Sequence, residues 1–223
     1  MDKAAVIEIG TNSVKFYAAK KGMDRIEIPL TDEVEITRLG QGMGAGGLMT
    51  DEAMERTARA AARFAASAAE LGIIPHIIGT MALRTAKNSL VFTERVRELT
   101  GLELRIISGE EEARLSCLAV SAGLPADDVD MVIFDTGGGS TEIIREEQGK
   151  IAEVLSLPLG AGSVSERFFA SDPPADGAVT GALAMLRRAL KEGGVAGAPG
   201  KLVGVGGAAV TLASVKLRLE KYD

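Results

Sequence analysis

The chain has 223 residues, a formal net charge of −6, no tryptophan and one cysteine. That length allows one large domain or two small ones with a core that needs no disulfide or metal staple. The acidic balance and few aromatics argue against a nucleic-acid face, and a lone Cys117 outside any CxxC or Cys/His cluster argues against a zinc module and for a reducing compartment.

Residues 3–20 read as a hairpin: the strand-like AAVIEIG, a turn of Gly10, Thr11, Asn12 and Ser13, and the returning VKFYAAK. The opening apolar run is too short for a secretory signal, and no segment approaches the roughly 18 apolar residues of a membrane span, so the expected location is the cytoplasm. Alternating strand material follows at 25–38, then a glycine-rich stretch at 40–47. Gly42, Gly44 and Gly47 match GxGxxG, but a long helix occupies the place where a dinucleotide site needs its second strand and acid, so the stretch reads as a loop.

Residues 50–71 form that helix, with Thr50 as cap, Asp51 and Glu52 in the first turn and Gly72 after the end. Met54, Ala58, Ala61, Phe64, Ala65, Ala68 and Leu71 make its apolar face, and the small alanines suit close packing on a sheet. A strand at 76–80, a helix at 90–99, a strand at 102–107 and a helix at 109–122 come next. His76 lies in an apolar run and reads as a core histidine; Cys117, among Leu115, Leu118 and Val120, reads as core. The polar LPADDVD at 124–130 is the expected joint, giving lobes 1–124 and 125–223.

Beyond the joint the opening pattern returns. A strand at 131–134 leads to Asp135, a turn of Gly137, Gly138, Gly139, Ser140 and Thr141, and a returning strand that starts with Glu142. Strand and helix material then alternates to the end, with loops at 171–178 and 193–200 and a third glycine turn at 206–209. The two acid-and-glycine hairpins predict an α/β protein of two related lobes facing each other.

A turn without side chains brings backbone N–H groups close to an anion, and the hydroxyls of Ser140 and Thr141 add donors. Carboxylates beside a phosphate need a cation between them, and Mg2+ suits oxygen ligands such as Asp135 and Glu142. Ser108 and Glu111 have capping-box spacing, which gives Glu111 a structural task and leaves Glu112 able to point off the helix. Arg84 reads equally as a bidentate phosphate ligand or a solvated arginine at a helix start. With a single histidine and no serine elbow, a Ser-His-Asp hydrolase is poorly supported.

The stretches IEIGTNSVKF, TRLGQG, GTMALRTAKN, LRIISGEEEARL, VIFDTGGGSTEI, SLPLGAGSVSERF and LVGVGGAAVTLA occur in that order and cover nearly the whole chain. Together they resemble the Ppx/GppA family of exopolyphosphatases and guanosine pentaphosphate phosphohydrolases, within the actin-like ATPase superfamily. The resemblance implies two ribonuclease H-like lobes with an active site between them. It also implies Mg2+-dependent release of terminal phosphate from inorganic polyphosphate or guanosine pentaphosphate.

It further implies Glu112 as catalytic base, and Asp135 and Glu142 as the acids of metal and catalytic water. Glu8 takes the place of the first acid of the metal site, Arg84 that of a phosphate contact, and the turns at 10–13 and 137–141 those of the phosphate loops. Two departures stand out. Glu8 replaces the family's usual aspartate, moving a carboxylate by roughly 1.5 Å. The chain also ends at residues 219–223, short of the family's length, so the second lobe is expected to be shortened and an exposed apolar face to favour a homodimer. An ATP-dependent kinase or ATPase of the same superfamily, and a non-catalytic phosphate or nucleotide sensor, are the competing readings.

Overall fold

The computed structural model describes residues 3–22, 27–43, 46–124, 130–148, 150–194 and 200–220. Gly44, most of the expected joint (125–129), part of the 193–200 loop and the last three residues lie outside them. The chain divides into two compact units, Met1–Ser108 and Gly109–Asp223.

The first unit contains β1 (Lys3–Ile9), β2 (Ser13–Lys21), β3 (Glu27–Ile36), α1 (Asp51–Glu70), β4 (His76–Gly79), α2 (Met81–Thr85), α3 (Ser89–Thr100) and β5 (Leu104–Ile106). Its five-stranded sheet has the order β3-β2-β1-β4-β5. The first three strands are antiparallel, and β4 and β5 run parallel to β1. Alternation along β1 and β2 sends Ala5, Ile7, Ile9, Val14, Phe16 and Ala18 inward, and the register sets Ile7 opposite Phe16 and Ile9 opposite Val14.

Helix α1 covers this face with Met54, Ala58, Ala61, Phe64 and Ala68. The Thr50 side chain accepts from Ala53 N at 3.2 Å, satisfying a first-turn donor. Phe64 stacks on Phe16 with ring centroids 5.4 Å apart; burying one such ring contributes about 1.5–3 kcal/mol. His76 is exposed, not in the core: as the first residue of β4 it points away from the face that buries Ile77 and Gly79.

The second unit contains α4 (Gly109–Gly123), β6 (Met131–Thr136), β7 (Thr141–Glu147), β8 (Lys150–Leu157), α5 (Ala161–Phe168), α6 (Ala178–Glu192), β9 (Lys201–Val205) and α7 (Gly206–Leu217). Its sheet has the order β8-β7-β6-β9, again an antiparallel meander with a strand parallel to its first member. It repeats the first unit's connectivity as far as β4, and among the described residues it has no counterpart of β5. The division falls before α4 and not at the polar joint, because Ala113, Cys117 and Val120 of α4 bury themselves against Ile133 of β6 and Ile144 of β7. Leu115 and Leu118, by contrast, are exposed. Among the described residues no helix is long and apolar enough to cross a membrane.

Candidate active site

The turn at 10–13 is closed by Gly10 N–H donating to the Ser13 carbonyl at 2.9 Å. Its other carbonyls are held from behind: Thr11 O accepts from Gly40 N at 2.9 Å, and Asn12 O from Thr37 N and Arg38 N at 3.0 and 2.8 Å. In a trans peptide the C=O of one residue and the N–H of the next point in opposite directions. The Asn12 and Ser13 N–H groups therefore face away from segment 37–40, as an anion nest requires. A Cβ on Gly40 would lie 2.4 Å from the Thr11 methyl, so any larger residue there would have to displace that side chain.

The second turn has the same construction. Gly137 N–H donates to Ser140 O at 3.0 Å, while Gly137 O and Gly138 O accept from Ala161 N and Ser163 N at 2.9 and 3.0 Å. The N–H groups of Gly138 and Gly139 are thereby turned outward. Here the backing is the first turn of α5, and a Cβ on Gly160 would lie 2.5–2.6 Å from the backbone of residues 137–139. The two hydroxyls expected to add donors are engaged elsewhere. Ser140 is buried and donates to Glu142 Oε2 at 3.3 Å, and Thr141 donates to Leu159 O at 2.7 Å. The turn offers backbone donors.

Asp135 and Glu142 are directly opposed across β6 and β7, so both side chains stand on one face of the sheet. That face lies under α4. Ser116 of α4 donates to Asp135 Oδ2 at 2.8 Å; farther along, Cys117 and Ser121 both donate to Glu146 Oε2 at 3.2 Å. Glu112 is one helical turn before Ser116 on the same stripe, which places it at the glycine-turn end of the hairpin. Glu142 is only 1% exposed, and its second oxygen accepts from Ser156 Oγ at 2.9 Å. Asp135 Oδ1 faces the start of α7, where Gly206 has φ +85° and a Cβ would sit 2.7 Å from that oxygen. A carboxylate there is favoured by the helix dipole.

Glu8 is directly opposite Lys15 in β2, and the Lys15 ammonium lies 3.3 Å from both carboxylate oxygens. Arg84 is half-buried on α2 and donates from Nη1 to Ile107 O at 3.0 Å, so it is not a solvated arginine. Burial, with the Glu146 carboxylate beside it, pushes the Cys117 thiol up to about 11. The sequence reading missed Lys15, Ser116, Ser156, Glu146 and Gly160. Lys15 was within reach from the hairpin register, and Ser116 from its four-residue spacing to Glu112. Ser156 depends on β8 pairing and carried no local signal.

Hard oxygen donors suit Mg2+. Asp135, at the strand end beside the glycine turn, fits as a partner of a cation that keeps most of its waters, with Glu142 adjacent on the same face and held by Ser140 and Ser156; the Glu8 carboxylate has the Lys15 ammonium beside it. Among the described residues no three His, Cys, Asp or Glu side chains gather closely enough to enclose a metal.

Two lobes of one connectivity, each with a backed glycine turn beside a strand-end acid, define an α/β phosphate-handling enzyme of the actin-like ATPase fold. The family model for the Ppx/GppA phosphatase family matches residues 19–218. Exopolyphosphatase 2 of Mycobacterium tuberculosis is 32% identical over all of this chain and 73% of its own length. A guanosine-5'-triphosphate,3'-diphosphate pyrophosphatase of Photobacterium profundum is 32% identical over 74% of this chain and 33% of its own length. The crystal structure of the Aquifex aeolicus Ppx/GppA family member superposes with a TM-score of 0.79 at 31% identity, covering 99% of this chain and 71% of that one. The chain belongs to the Ppx/GppA phosphatase family, and it is a hydrolase of phosphoanhydride bonds.

Proposed function

We propose that this chain releases orthophosphate from the end of inorganic polyphosphate or of guanosine pentaphosphate, in a Mg2+-dependent reaction with Glu112 as general base. The observation that carries this reading is the α4 clasp. Ser116 fixes the helix to Asp135, and the same stripe brings Glu112 to the hairpin end where the Gly138 and Gly139 N–H groups are turned outward.

In the reaction, a water held near Glu112 attacks the terminal phosphorus as its proton passes to the Glu112 carboxylate. The bridging P–O bond breaks with its electron pair leaving on the shortened chain, a weakly basic oxyanion that needs no proton. Outward N–H groups of the glycine turn stabilise the charge on the equatorial oxygens, for which no covalent enzyme intermediate is required. Ser140 and Ser156 hold Glu142 in one orientation, as Ser116 holds Asp135. Magnesium, when bound at Asp135 and Glu142, would supply charge neutralisation of the phosphates. The Asn12 and Ser13 N–H groups and Arg84 offer further donors for the same class of ligand.

The test is orthophosphate release from long-chain polyphosphate, guanosine pentaphosphate and ATP, with Mg2+ or with EDTA. Release from either of the first two that EDTA abolishes is the expected result. Turnover of ATP alone would replace this reading with that of an ATPase.

A further inference from the structure

Among the described residues two acids are buried, Glu142 and Glu146, both on the face of the second sheet that lies under α4. Glu142 belongs to the glycine-turn end of the hairpin. Glu146, four residues farther along β7, is about 13 Å away and takes no part in the proposed reaction. It is 7% exposed and lies where the pairing of β7 with β8 shifts register, between Arg145 and Glu146, a feature that re-aims a side chain. Among the described residues no cation pairs with it. Its hydrogen-bond partners are Cys117 and Ser121 of α4, which both donate to Oε2 at 3.2 Å.

A carboxylate taken out of water without a cation is costly, and apolar side chains in its place are often as stable or more so. What Glu146 supplies is geometry. Cys117 and Ser121 are one helical turn apart, about 6 Å along the axis, and converge on a single oxygen, so sliding α4 either way lengthens one of the two bonds. The Cys117 thiol, pushed up to about 11, keeps the proton that its bond needs. Packing by itself does not select this rotation of α4. The helix buries the small side chains of Ala113, Cys117 and Val120, whereas Leu115 and Leu118 are exposed; a roll that covered the leucines would bury more apolar surface. The Ser116–Asp135 bond is a single point about which a helix can pivot. Glu146 provides a second point, farther along the axis.

We propose that Glu146 is a positioning residue for the hydrolysis: by fixing the rotation and axial position of α4 through Cys117 and Ser121, it sets the direction of Glu112 near the start of that helix. The proposal rests on the reading of Glu112 as general base. The anchor lies about 10 Å along α4 from Glu112, so it acts without touching substrate. The glycine turn at 137–141 is backed by α5 and does not depend on it.

The decisive variant combines Glu146→Leu, Cys117→Ala and Ser121→Ala, which removes donors and acceptor together and leaves none of them unpaired. Its melting temperature should be close to or above that of the parent. In orthophosphate release from long-chain polyphosphate its kcat should fall about 10–100-fold, with KM nearly unchanged. Glu146→Gln, which keeps an acceptor oxygen, should restore most of the kcat lost in Glu146→Leu. Added to Glu112→Gln, the triple replacement should lower the residual rate no further, because no base is left to misplace. A folded triple variant with the parent's kcat, beside a disabled Glu112→Gln, would overturn the anchor and leave the base standing. Equal fold losses with and without Glu112 would also overturn the anchor, since the effect would not pass through Glu112. Full activity in Glu112→Gln would overturn both readings. Should the triple variant fail to fold, Ser121→Ala at an exposed position carries the same test. It should show a smaller loss of kcat that vanishes in the Glu112→Gln background, and no loss at all would overturn the anchor.

Discussion

Glu8 and Lys15 face each other across the first hairpin, with the ammonium equidistant from the two carboxylate oxygens at 3.3 Å. The pair is partly exposed, so its net effect on stability is under about 1 kcal/mol. Its importance is chemical: the Glu8 carboxylate has an ammonium beside it where a metal site would need it open. Glu8→Gln should leave the Mg2+ concentration for half-maximal activity nearly unchanged, whereas Asp135→Asn should raise it about tenfold or more. Equal shifts in the two variants, read by titrating Mg2+ in the orthophosphate assay, would return Glu8 to the metal site.

Glu112 has a role that Glu111 should not share. Replacing Glu112 by Gln removes the proposed base but keeps the shape of the side chain, and kcat should fall by about 10²–10⁴. Glu111→Gln, on the same helical turn, should remain within a few-fold of the parent. Full activity in Glu112→Gln would end the assignment of the base.

Gly160 is constrained by contact and not by φ, which is an ordinary −126°. The Cβ of Gly160→Ala would meet three backbone atoms of the second turn at 2.5–2.6 Å, and backbone cannot swing aside as a flexible side chain can. Urea denaturation should show a loss of about 1–3 kcal/mol, with KM for phosphate substrates raised because the Gly138 and Gly139 N–H groups no longer hold their direction.

The Cys117 thiol, raised to about 11 by burial and the Glu146 carboxylate, links stability to alkaline pH. The neutral thiol is favoured in the fold, so its contribution is fully present below the ordinary thiol range near pH 8.5. It is lost as pH rises through about 11. Cys117→Ser does not ionise in this range. The parent's urea midpoint should therefore fall relative to that of the variant between these pH values, and parallel curves would refute the linkage.

Local signals made much of this architecture legible. The two hairpins, the Thr50-capped helix and the third glycine turn at the start of α7 all depend on turn chemistry and periodicity within a few residues. The two compact units divide before α4 and not at the polar linker, a compositional cue, because α4 packs on Ile133 and Ile144, which it meets only in the fold. The same limit applied inside the site. Motif position singled out Asp135, Glu142 and Glu112, and the hairpin register and α4 stripe then set them toward one end of the second sheet. The hydroxyls of Ser140 and Thr141 were read as ligand donors, because nothing local shows that Glu142 and Leu159 O claim them first.

Because the chain has one cysteine, carried on α4 with its thiol donating to Glu146 of β7, the enzyme carries its own clock for the lifting of that helix. A thiol reagent can reach the sulfur only when α4 leaves the sheet, so the labelling rate at neutral pH measures how often the seat of Glu112 comes undone. Substrate that steadies this arrangement should slow the label, giving a readout of engagement that needs no turnover.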